Sequence, residues 1–489
     1  MDNIDCWKVP KDLDKILKEH NGPIVTRFPP ENSGYLHIGH VKALMINYVI
    51  AKRYNGTMIL RFDDTNPVNE SLEYENAITE DIKTLNIIPD IMTYSSDYFP
   101  QLIKFAEYLL QNNEAYVDNT EQTIMKEQRK NCIESENRNN TVDENLRLFE
   151  LMKDGIIKNS CVRIKFSMKH HVPNCRDPVI FRSIETEHHR TFGKYKIYPT
   201  YDFACPIIDS LECVTHAFRS VEYSDRNEQY NLMLTKLNLR KPKLFCYGKV
   251  KFLDVVLSKR KIRTLIENGV VNFWDDPRLF TLRGLMNRGI KLNALNHFVA
   301  TLGFSSKTPP IMNPEKLFTI NRKIIDSIAS RYFCVSRDSC MAIKVNNVNV
   351  FSKEVPKYIK NLDLGLRTLN FDDTILINTE DYESLEKNEE FTLMNWSNAL
   401  FDKYEFTLSE NSDFKSTDKK IVWISAKNTV DIRIDYCNKY DPIKSNFYVG
   451  ETSLLNLQKG DYVQFMKMNY YMCTNVDLEN NLVSFIELN

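Results

Sequence analysis

Hydrophobic and polar positions follow two different periods along the first part of the chain. Residues 23–28 form a short apolar run that two prolines end, which predicts a β-strand. Apolar side chains then recur three and four positions apart over residues 41–50, which predicts an amphipathic helix closed by an Asn-Gly pair. A second apolar run over residues 57–62 ends at Asp63 and Asp64. Strand, helix and strand in this order indicate a β-α-β unit built on a parallel sheet.

The pattern changes several times further along the chain. Helices are predicted over residues 70–85 and 98–113, and the polar stretch over residues 120–160 carries charge of both signs, which predicts an inserted surface element. Residues 261–331 are helical in pattern and rich in Lys and Arg. Beyond residue 332, short alternating segments with Gly and Asn turns predict strands arranged as β-barrels.

The basic helical segment over residues 261–331 predicts a surface that suits a nucleic-acid backbone. The cations expected to be exposed there are Arg263, Arg278, Arg283, Arg288, Lys291, Arg322 and Lys323. The whole chain carries a formal net charge of -1, so an RNA partner would have to be held by a local basic face of this kind.

Composition narrows the class of protein. At 489 residues, the chain is long enough for about three or four domains. Its 11 cysteines are scattered without a CxxC pair, so we expect free thiols, no disulfides and no structural zinc. No apolar run approaches membrane-spanning length, and residues 1–21 lack the pattern of a secretory or transit leader. We therefore expect a cytoplasmic protein with no membrane partner.

Two histidines flank the first turn of the helix that follows the first strand. A helix N-terminus offers unpaired N–H groups and the positive end of the helix dipole, so His37 and His40 point to a phosphate site. The alternative for either histidine is a helix cap or a surface position. Metal binding by the pair is disfavoured because Asp63 and Asp64 lie beyond the helix and no cysteine is local.

Other candidate residues fall where the predicted parallel strands end. Ligands of open α/β sheets bind beyond the carboxyl ends of the strands, so Arg27, Glu31, Asp63 and the two histidines are expected to converge on one crevice. The alternative for Asp63 or Asp64 is a cap on the next helix.

Arg219 interrupts an apolar strand predicted over residues 214–223. Burying a guanidinium is costly unless it is paired, so a carboxylate from the protein or from a ligand should lie opposite it. An internal salt bridge with Glu222 or Asp225 is the alternative to ligand binding.

Two basic loops complete the candidate set. Ser258-Lys-Arg-Lys261 follows an apolar run and suggests a phosphate-seeking loop, although such a run on its own is more often solvated. His188-His-Arg190 is predicted to be solvated surface, with RNA contact as the alternative.

Taken together, these motifs resemble a known family. Tyr35-Leu-His-Ile-Gly-His40 and Val256-Leu-Ser-Lys-Arg260 resemble the paired signature of class I aminoacyl-tRNA synthetases, in the form used by the glutamyl and glutaminyl branch. Further blocks resemble that branch in the same order: Arg27-Phe-Pro-Pro-Glu31, Leu60-Arg-Phe-Asp-Asp-Thr-Asn-Pro67, Tyr198-Pro-Thr-Tyr-Asp-Phe203 and Trp274-Asp-Asp-Pro-Arg278. The second motif departs from its more familiar form at Val256, Leu257 and Arg260, in a variant typical of the branch.

The resemblance implies a multidomain α/β fold. A Rossmann-type parallel-sheet catalytic domain would occupy residues 1–112 and 199–260, split by an inserted acceptor-end-binding domain over residues 113–198. A helical stem-contact domain would follow over residues 261–331, and antiparallel β-barrel anticodon-binding domains over residues 332–489.

The resemblance also implies an activity and its residues. The activity is ATP-dependent ligation of L-glutamate to tRNA(Glu) through a glutamyl-adenylate, with Mg²⁺ assisting, in a cytoplasmic monomer. By the same resemblance, the catalytic residues are His37, His40 and Lys259. The residues implied for ATP are Glu31, His37, Gly39, His40, Ser220, Lys249, Val250, Leu257, Ser258 and Lys259. Those implied for the amino acid are Arg27, Asp63, Tyr201 and Arg219.

Glutamate is preferred over glutamine because of Arg219. A pocket for a γ-carboxylate needs a fixed guanidinium, whereas a pocket for a γ-amide must avoid leaving a buried charge unpaired. Glutaminyl-tRNA synthetase is therefore the alternative within the family. A catalytically silent tRNA-binding relative is disfavoured by the intact His37, His40 and Lys259. A nucleotidyltransferase sharing the histidine motif is disfavoured by the β-rich region after residue 332.

Overall fold

Two compact units make up the chain. In a computed structural model, the described residues are 4, 6–305, 311–410 and 413–488. The first unit comprises Met1–Arg263 and Val299–Met312, and the second comprises Thr264–Phe298 and Asn313–Asn489.

The helices are α1 Lys11–Lys18, α2 Ile38–Arg53, α3 Leu72–Thr84, α4 Phe99–Gln111, α5 Gln122–Asn131, α6 Val142–Lys153, α7 Tyr201–Leu211, α8 Asn227–Lys236, α9 Lys259–Glu267, α10 Leu282–Asn287, α11 Leu292–Leu302, α12 Glu315–Ile325 and α13 Thr379–Glu383. The strands of the first unit are β1 Val25–Phe28, β2 Thr57–Phe62, β3 Ile91–Tyr94, β4 Ala115–Asp118, β5 Cys161–Ile164, β6 Val179–Ser183, β7 Ile197–Pro199, β8 His216–Ser220 and β9 Lys243–Tyr247. The strands of the second unit are β10 Ser330–Tyr332, β11 Cys334–Ser336, β12 Cys340–Asn346, β13 Phe351–Pro356, β14 Leu366–Phe371, β15 Thr374–Asn378, β16 Glu390–Leu393, β17 Asn398–Asp402, β18 Glu405–Leu408, β19 Lys420–Ile421, β20 Ile424–Ser425, β21 Thr429–Tyr436, β22 Lys444–Glu451, β23 Tyr462–Phe465, β24 Tyr470–Asp477 and β25 Leu482–Glu487.

Five strands of the first unit pair in parallel, as the sequence predicts. β1, β2 and β3 pair in that order, all parallel, and β8 and β9 form a second parallel pair. The backbone N–H of Thr215 donates to the carbonyl of Val25 over 2.9 Å, which joins the start of β8 to β1. The carboxyl ends of β1, β2 and β8 therefore open on a common side.

Helix α2 packs its apolar residues onto these strands. Val41, Leu44 and Val49 are completely buried, as expected for the face with three-and-four spacing. The helix ends just before Asn55, whose φ of 49° lies in the left-handed region that Asn tolerates. The predicted β-α-β unit is thus confirmed.

The inserted region forms a separate layer of the first unit. β4, β5, β6 and β7 make an antiparallel sheet in that order. Phe149 of α6, Ile164 and Phe181 belong to the apolar core behind it. Helix α5 has no buried residue, as the polar pattern of this stretch predicts.

The second unit is dominated by two sheets of seven strands each, largely antiparallel, with the orders β19-β16-β17-β18-β12-β15-β20 and β10-β23-β24-β25-β21-β22-β11. Phe391 and Trp423 lie in the core of the first sheet, and Ile432 and Phe485 lie in that of the second. These barrel-like sheets, together with the parallel first unit, confirm the predicted fold class. None of the described helices is both long enough and apolar enough to cross a membrane.

Two cations of the predicted basic face are buried, and four others are half-buried: Arg263, Arg283, Lys291 and Arg322. Arg278 is 7% exposed and donates two hydrogen bonds to the carboxylate of Asp276, from Nε at 2.9 Å and from a terminal nitrogen at 2.7 Å. Arg288 is 8% exposed, with its guanidinium 4.6 Å from the centre of the Phe318 ring. The prediction was wrong for both because arginine buries its long stem and flat head readily when a carboxylate or an aromatic ring is at hand. Lys323 is exposed as predicted.

Candidate active site

One cavity of about 700 Å³ in the first unit brings the predicted residues together. Its walls come from the ends of β1, β2 and β8, the start of α2, the start of α7 and the segment that leads into α9. The predicted residues on its walls are Arg27, Glu31, His37, Gly39, His40, Asp63, Tyr201, Arg219, Ser220, Lys249, Val250, Leu257, Ser258 and Lys259. The convergence expected at the strand ends is therefore confirmed, whereas the roles of these residues remain predictions.

The rings of His37 and His40 lie against each other at the start of α2, tilted by 31°. Nδ1 of His37 accepts the backbone N–H of Gly39 at 3.0 Å, Nδ1 of His40 accepts that of His37 at 3.1 Å, and the ring centroids are 3.7 Å apart. Both rings thus cap the helix as well as line the cavity. Because each Nδ1 is an acceptor, the proton of the neutral ring lies on Nε2, which can donate to a phosphate oxygen.

The two histidines are held neutral. Desolvation in the cleft lowers the pKa of His37 to about 3, and the charge of Lys259 adds to this effect. Desolvation and the neighbouring His37 hold the pKa of His40 well below its usual range. A neutral pair offers a ligand N–H dipoles and no net charge. A Cβ added at Gly39 would lie 2.8 Å from Cε1 of His37, so any larger residue would have to displace the first ring.

Lys259 lies opposite the histidines, at the first residue of α9. Its Nζ donates to the backbone carbonyl of Glu31 over 2.7 Å. Desolvation lowers the pKa of this amine to about 8. The loop after β9 and the loop after β1 are therefore already in contact across the cavity.

Carboxylates occupy the side of the cavity near β2. Desolvation, and then the nearby Glu31, raise the pKa of Asp63 to about 7. Desolvation, and then Asp63, raise the pKa of Glu70 to about 10. The raised pKa values indicate that neighbouring cations of the protein compensate little of the negative charge here, as expected of a site for a cation.

The cap predicted as the alternative for Asp63 and Asp64 comes from another residue. The hydroxyl of Ser71 caps α3 by accepting the N–H of Tyr74 at 3.3 Å. Asp64 is completely buried and accepts the backbone N–H of Ser96 at 2.8 Å and its hydroxyl at 2.6 Å. Asp64 is thus structural, and of these two aspartates it is Asp63 that lines the cavity.

Arg219 is buried without a carboxylate partner. Its side chain donates to Oδ1 of Asn227 at 3.0 Å and lies 5.3 Å and 5.1 Å from the rings of Tyr223 and Tyr230. Its Nε is buried and has no hydrogen-bond partner. Within the described part of the chain, neither Glu222 nor Asp225 pairs with it, so the internal salt bridge considered from the sequence is absent. The guanidinium is left to face the cavity.

Arg27 differs from Arg219 because the protein itself neutralises it. Arg27 is 1% exposed, and its Nε lies 3.0 Å from both carboxylate oxygens of Asp209. Its NH1 donates to the carbonyl of Phe218 at 3.0 Å. These bonds fix the cavity wall between β1 and β8.

The prediction for His188 was wrong. This imidazole is 1% exposed, its Nε2 lies 2.8 Å from the backbone oxygen of Asp64, and its face stacks on Tyr198 at 6.0 Å. His189 lies 3.2 Å from the carboxylate of Glu75. The faces of a histidine ring can be buried when a ring nitrogen has a hydrogen-bond partner. The local sequence, a run of three polar residues, does not show that such a partner lies nearby in the fold.

Several cavity residues escape the sequence reasoning altogether. Lys42, Glu70, Arg182, Tyr223 and Tyr247 all line the cavity. Only Lys42 leaves a signal in the sequence, as a cation among the apolar positions of a helix that is buried over most of its length. The others reach the cavity through the folding of distant segments.

The parallel sheet, the histidine pair at a helix start and the facing Ser-Lys loop define the class of protein. Residues 23–327 match the family described as "tRNA synthetases class I (E and Q), catalytic domain", and residues 329–418 match "tRNA synthetases class I (E and Q), anti-codon binding domain". The chain belongs to this family of class I tRNA synthetases.

The similar proteins have names from one part of this family, the glutamate--tRNA ligases. A protein of Encephalitozoon cuniculi named "Probable glutamate--tRNA ligase, cytoplasmic" is 39% identical, over 96% of this chain and 77% of its own length. A Schizosaccharomyces pombe protein of the same name is 38% identical, over 92% of this chain and 68% of its own. A solved glutamate tRNA ligase from Elizabethkingia meningosepticum is 15% identical with a TM-score of 0.42, over 62% of this chain and 70% of its own.

Proposed function

We propose that this protein ligates L-glutamate to tRNA(Glu) at the expense of ATP, through a glutamyl-adenylate. The observation that carries the choice of amino acid is the buried guanidinium of Arg219, which faces the cavity without a carboxylate of its own. A ligand γ-carboxylate supplies the missing negative charge. The names of the relatives support the same amino acid.

The cavity offers separate places for the parts of the two small substrates. Nε2–H of His37 and His40 and the ammonium of Lys259 face the space for the triphosphate. Asp63 and the hydroxyl of Tyr201 would take the α-ammonium of glutamate, whose bonds to oxygen acceptors compensate the carboxylate side of the cavity. Arg27, neutralised by Asp209, would complete the wall against the amino acid.

A second set of residues would make the remaining contacts with ATP. Glu31, Gly39, Ser220 and Ser258 lie where polar atoms can meet the ribose and phosphates. The backbone of Lys249, Val250 and Leu257 would hold adenine. Mg²⁺ prefers oxygen ligands and usually arrives with phosphates, and the carboxylate of Glu31, an exposed residue on the cavity wall, is a donor of that kind. When bound, the ion would reduce the charge of the phosphate oxygens.

In the first step, an oxygen of the glutamate α-carboxylate bonds to the α-phosphorus, and the bond from that phosphorus to the bridging oxygen of pyrophosphate breaks. The protein's task is to align the two groups and to stabilise charge on the phosphate oxygens. Lys259 and the two histidines supply those donors. In the second step, the terminal ribose hydroxyl of the tRNA takes the glutamyl group, and AMP leaves.

RNA binding would be shared among the domains. We assign the acceptor end to residues 113–198, the stem to residues 261–331 and the anticodon to residues 332–489. We also propose that the protein acts in the cytoplasm, in line with the names of its relatives, and that it acts as a monomer.

An aminoacylation assay with glutamate and glutamine on both tRNAs tests the proposal. We expect glutamate on tRNA(Glu) to be the preferred combination. Preferential charging with glutamine would make the protein a glutaminyl-tRNA synthetase and remove Arg219 from its proposed role. Absence of charging with either amino acid, and of pyrophosphate release from ATP, would contradict the enzymatic function.

Arg219→Cys tests the residue directly. Since a ligand carboxylate then loses its buried partner, we expect kcat/KM for glutamate to fall by about 100-fold or more. The KM for ATP should change by no more than about threefold, because the phosphates bind elsewhere. Arg147→Cys, at an exposed arginine on α6 paired with Glu144, is the matched control. Unchanged glutamate kinetics in Arg219→Cys would show that the pocket is wrongly assigned.

A further inference from the structure

Lys42 is a buried ammonium in the wall of the cavity, two residues beyond His40. It is 1% exposed, and its Nζ donates to the backbone carbonyl of Gly248 over 2.7 Å. Among the described residues, no carboxylate lies within ion-pair distance of it. Burying an unpaired cation is costly, and methionine would fill similar space without that cost. Packing alone therefore does not require an ammonium at this position.

The acceptor of this bond lies at the point where β9 ends. Gly248 follows Tyr247, the last residue of β9, and its backbone N–H donates to the carbonyl of Ser305 over 2.6 Å. Both polar groups of the Gly248 backbone are thus fixed from opposite sides. Lys42 is the side chain that fixes the carbonyl, and it reaches there from the helix that carries the two histidines.

The segment after Gly248 leads to the rest of the cleft. Lys249 and Val250 line the cavity, as does Lys42 itself. The side chain of Lys249 is engaged by Glu222, with Nζ 2.5 Å from the carboxylate, so what Lys249 presents to a ligand is its backbone. The orientation of that backbone depends on how the peptide of Gly248 is held.

Surrounding groups keep Lys42 close to its acceptor. The ring of Tyr247 lies 5.7 Å from Nζ, near enough for a weak cation–π contact. Burial lowers the pKa of the amine to about 8. Charged or neutral, the nitrogen retains a proton to donate to the carbonyl.

We propose that Lys42 is a positioning residue for the purine ring of ATP: by holding the Gly248 carbonyl, it sets the backbone of residues 248–250 against which adenine binds. This inference rests on the proposed function, which places adenine at that backbone. It adds a physical link between the two halves of the nucleotide site, since one side chain of α2 connects the histidine pair to the adenine wall.

Lys42→Met tests the inference, with Lys52→Met as the matched control. Lys52 lies on the same helix but not on the cavity wall, and its Nζ is 2.7 Å from the carboxylate of Asp90. Binding of ATP and of GTP to the full-length protein is measured by calorimetry, which requires no turnover. We expect Lys42→Met to weaken ATP by about 10- to 100-fold while GTP changes much less, so that the preference for adenine shrinks. Lys52→Met should leave both affinities unchanged.

A second variant covers the case in which Lys42→Met fails to fold. Lys42→Ala leaves space beside the cavity, and added propylamine should restore part of both the ATP affinity and the preference for ATP over GTP, because it supplies an N–H donor for the Gly248 carbonyl. If ATP affinity and the ATP-to-GTP ratio both stay at the wild-type level, or if ATP and GTP weaken equally without amine rescue, the inference is wrong. Failure of the wild-type protein to charge tRNA would instead contradict the proposed function, because nucleotide binding is measured separately.

Discussion

At the scale of single residues, the pKa of Asp63 connects the electrostatics of the cavity with the measurable affinity for glutamate. Desolvation and Glu31 raise its pKa to about 7, so below pH 7 the carboxyl is mostly protonated and no longer attracts an α-ammonium. The KM for glutamate should therefore rise about tenfold as the pH falls from 8 to 6. Glu70, whose pKa is raised to about 10, stays protonated throughout this range and does not interfere.

Steady-state kinetics at several pH values measure the effect. Asp63→Asn should raise the KM for glutamate at pH 8 and remove its dependence on pH between 6 and 8. Lys259, whose pKa is about 8, titrates in the same range, so the KM for ATP is compared between Asp63→Asn and the wild-type protein at each pH and should be the same in both. A KM for glutamate that does not change over this range in the wild-type protein would exclude Asp63 as the ammonium acceptor.

The residues that the sequence predicted for the site and those it missed differ in how they reach the cavity. His37, Asp63 and Lys259 lie at element ends, where the chain pattern itself marks a strand end or a helix start. Lys42 and Arg182 lie within elements and reach the cavity because of how distant segments pack. Local patterns carry no information about that packing, which is also why His188 was wrongly predicted to be solvated.

At the scale of elements, a buried charge network joins β1, β2 and α7 beneath the cavity. Asp209 is completely buried and accepts from Arg27 at 3.0 Å, from Arg61 at 2.7 Å and from the hydroxyl of Tyr230 at 2.8 Å. The two guanidiniums hold the pKa of this carboxyl below its usual range. The parallel strands are thus connected to the helix through one carboxylate.

Asp209→Asn should destabilise the first unit severely. Removal of the charge leaves two buried guanidiniums undercompensated, a defect of about 3–5 kcal/mol in comparable buried pairs. Urea denaturation should show a marked fall of the unfolding midpoint. Glu144→Gln, which removes an exposed partner of Arg147, is the control and should shift the midpoint little. Equal midpoints for the two variants would mean that the network contributes no stability.

Helices and strands were predictable where a single hydrophobic period dominated the stretch of sequence that forms them. β1, α2 and β2 each lie in a stretch that a single pattern dominates, and their positions agree with the prediction within a few residues. The strand predicted over residues 214–223 is shorter, since β8 ends at Ser220 and a 3-10 helix over Val221–Arg226 takes the rest. An apolar run does not show where the backbone turns out of the sheet.

At the scale of the whole molecule, charge was the least predictable property. A formal net charge of -1 leaves RNA binding to local cations. Counting Lys and Arg over residues 261–331 overestimates them because Arg278 and Arg288 are buried. The order of the α/β and β-rich regions, in contrast, follows from the sequence, since their periods differ over long stretches.

Lys323 is an exposed cation and Arg288 a buried one in the same region, so variants of the two should affect RNA binding differently. Each phosphate contact releases a counterion, so loss of one contacting lysine should reduce the slope of log affinity against log salt by about one. Lys323→Gln is therefore expected to weaken tRNA binding and to flatten its salt dependence, provided that the stem runs along α12. Binding of tRNA is measured over a series of NaCl concentrations.

Arg288→Gln should behave differently, because its guanidinium packs on Phe318 and donates to the carbonyl of Cys437 at 3.2 Å. It should lower the stability of the second unit and leave the salt slope unchanged, since no phosphate reaches the side chain. If Lys323→Gln keeps the wild-type slope, the RNA stem does not contact this helix. If Arg288→Gln flattens the slope, the arginine must leave its aromatic partner to bind RNA, and burial in the free protein would then be a poor guide to the RNA surface.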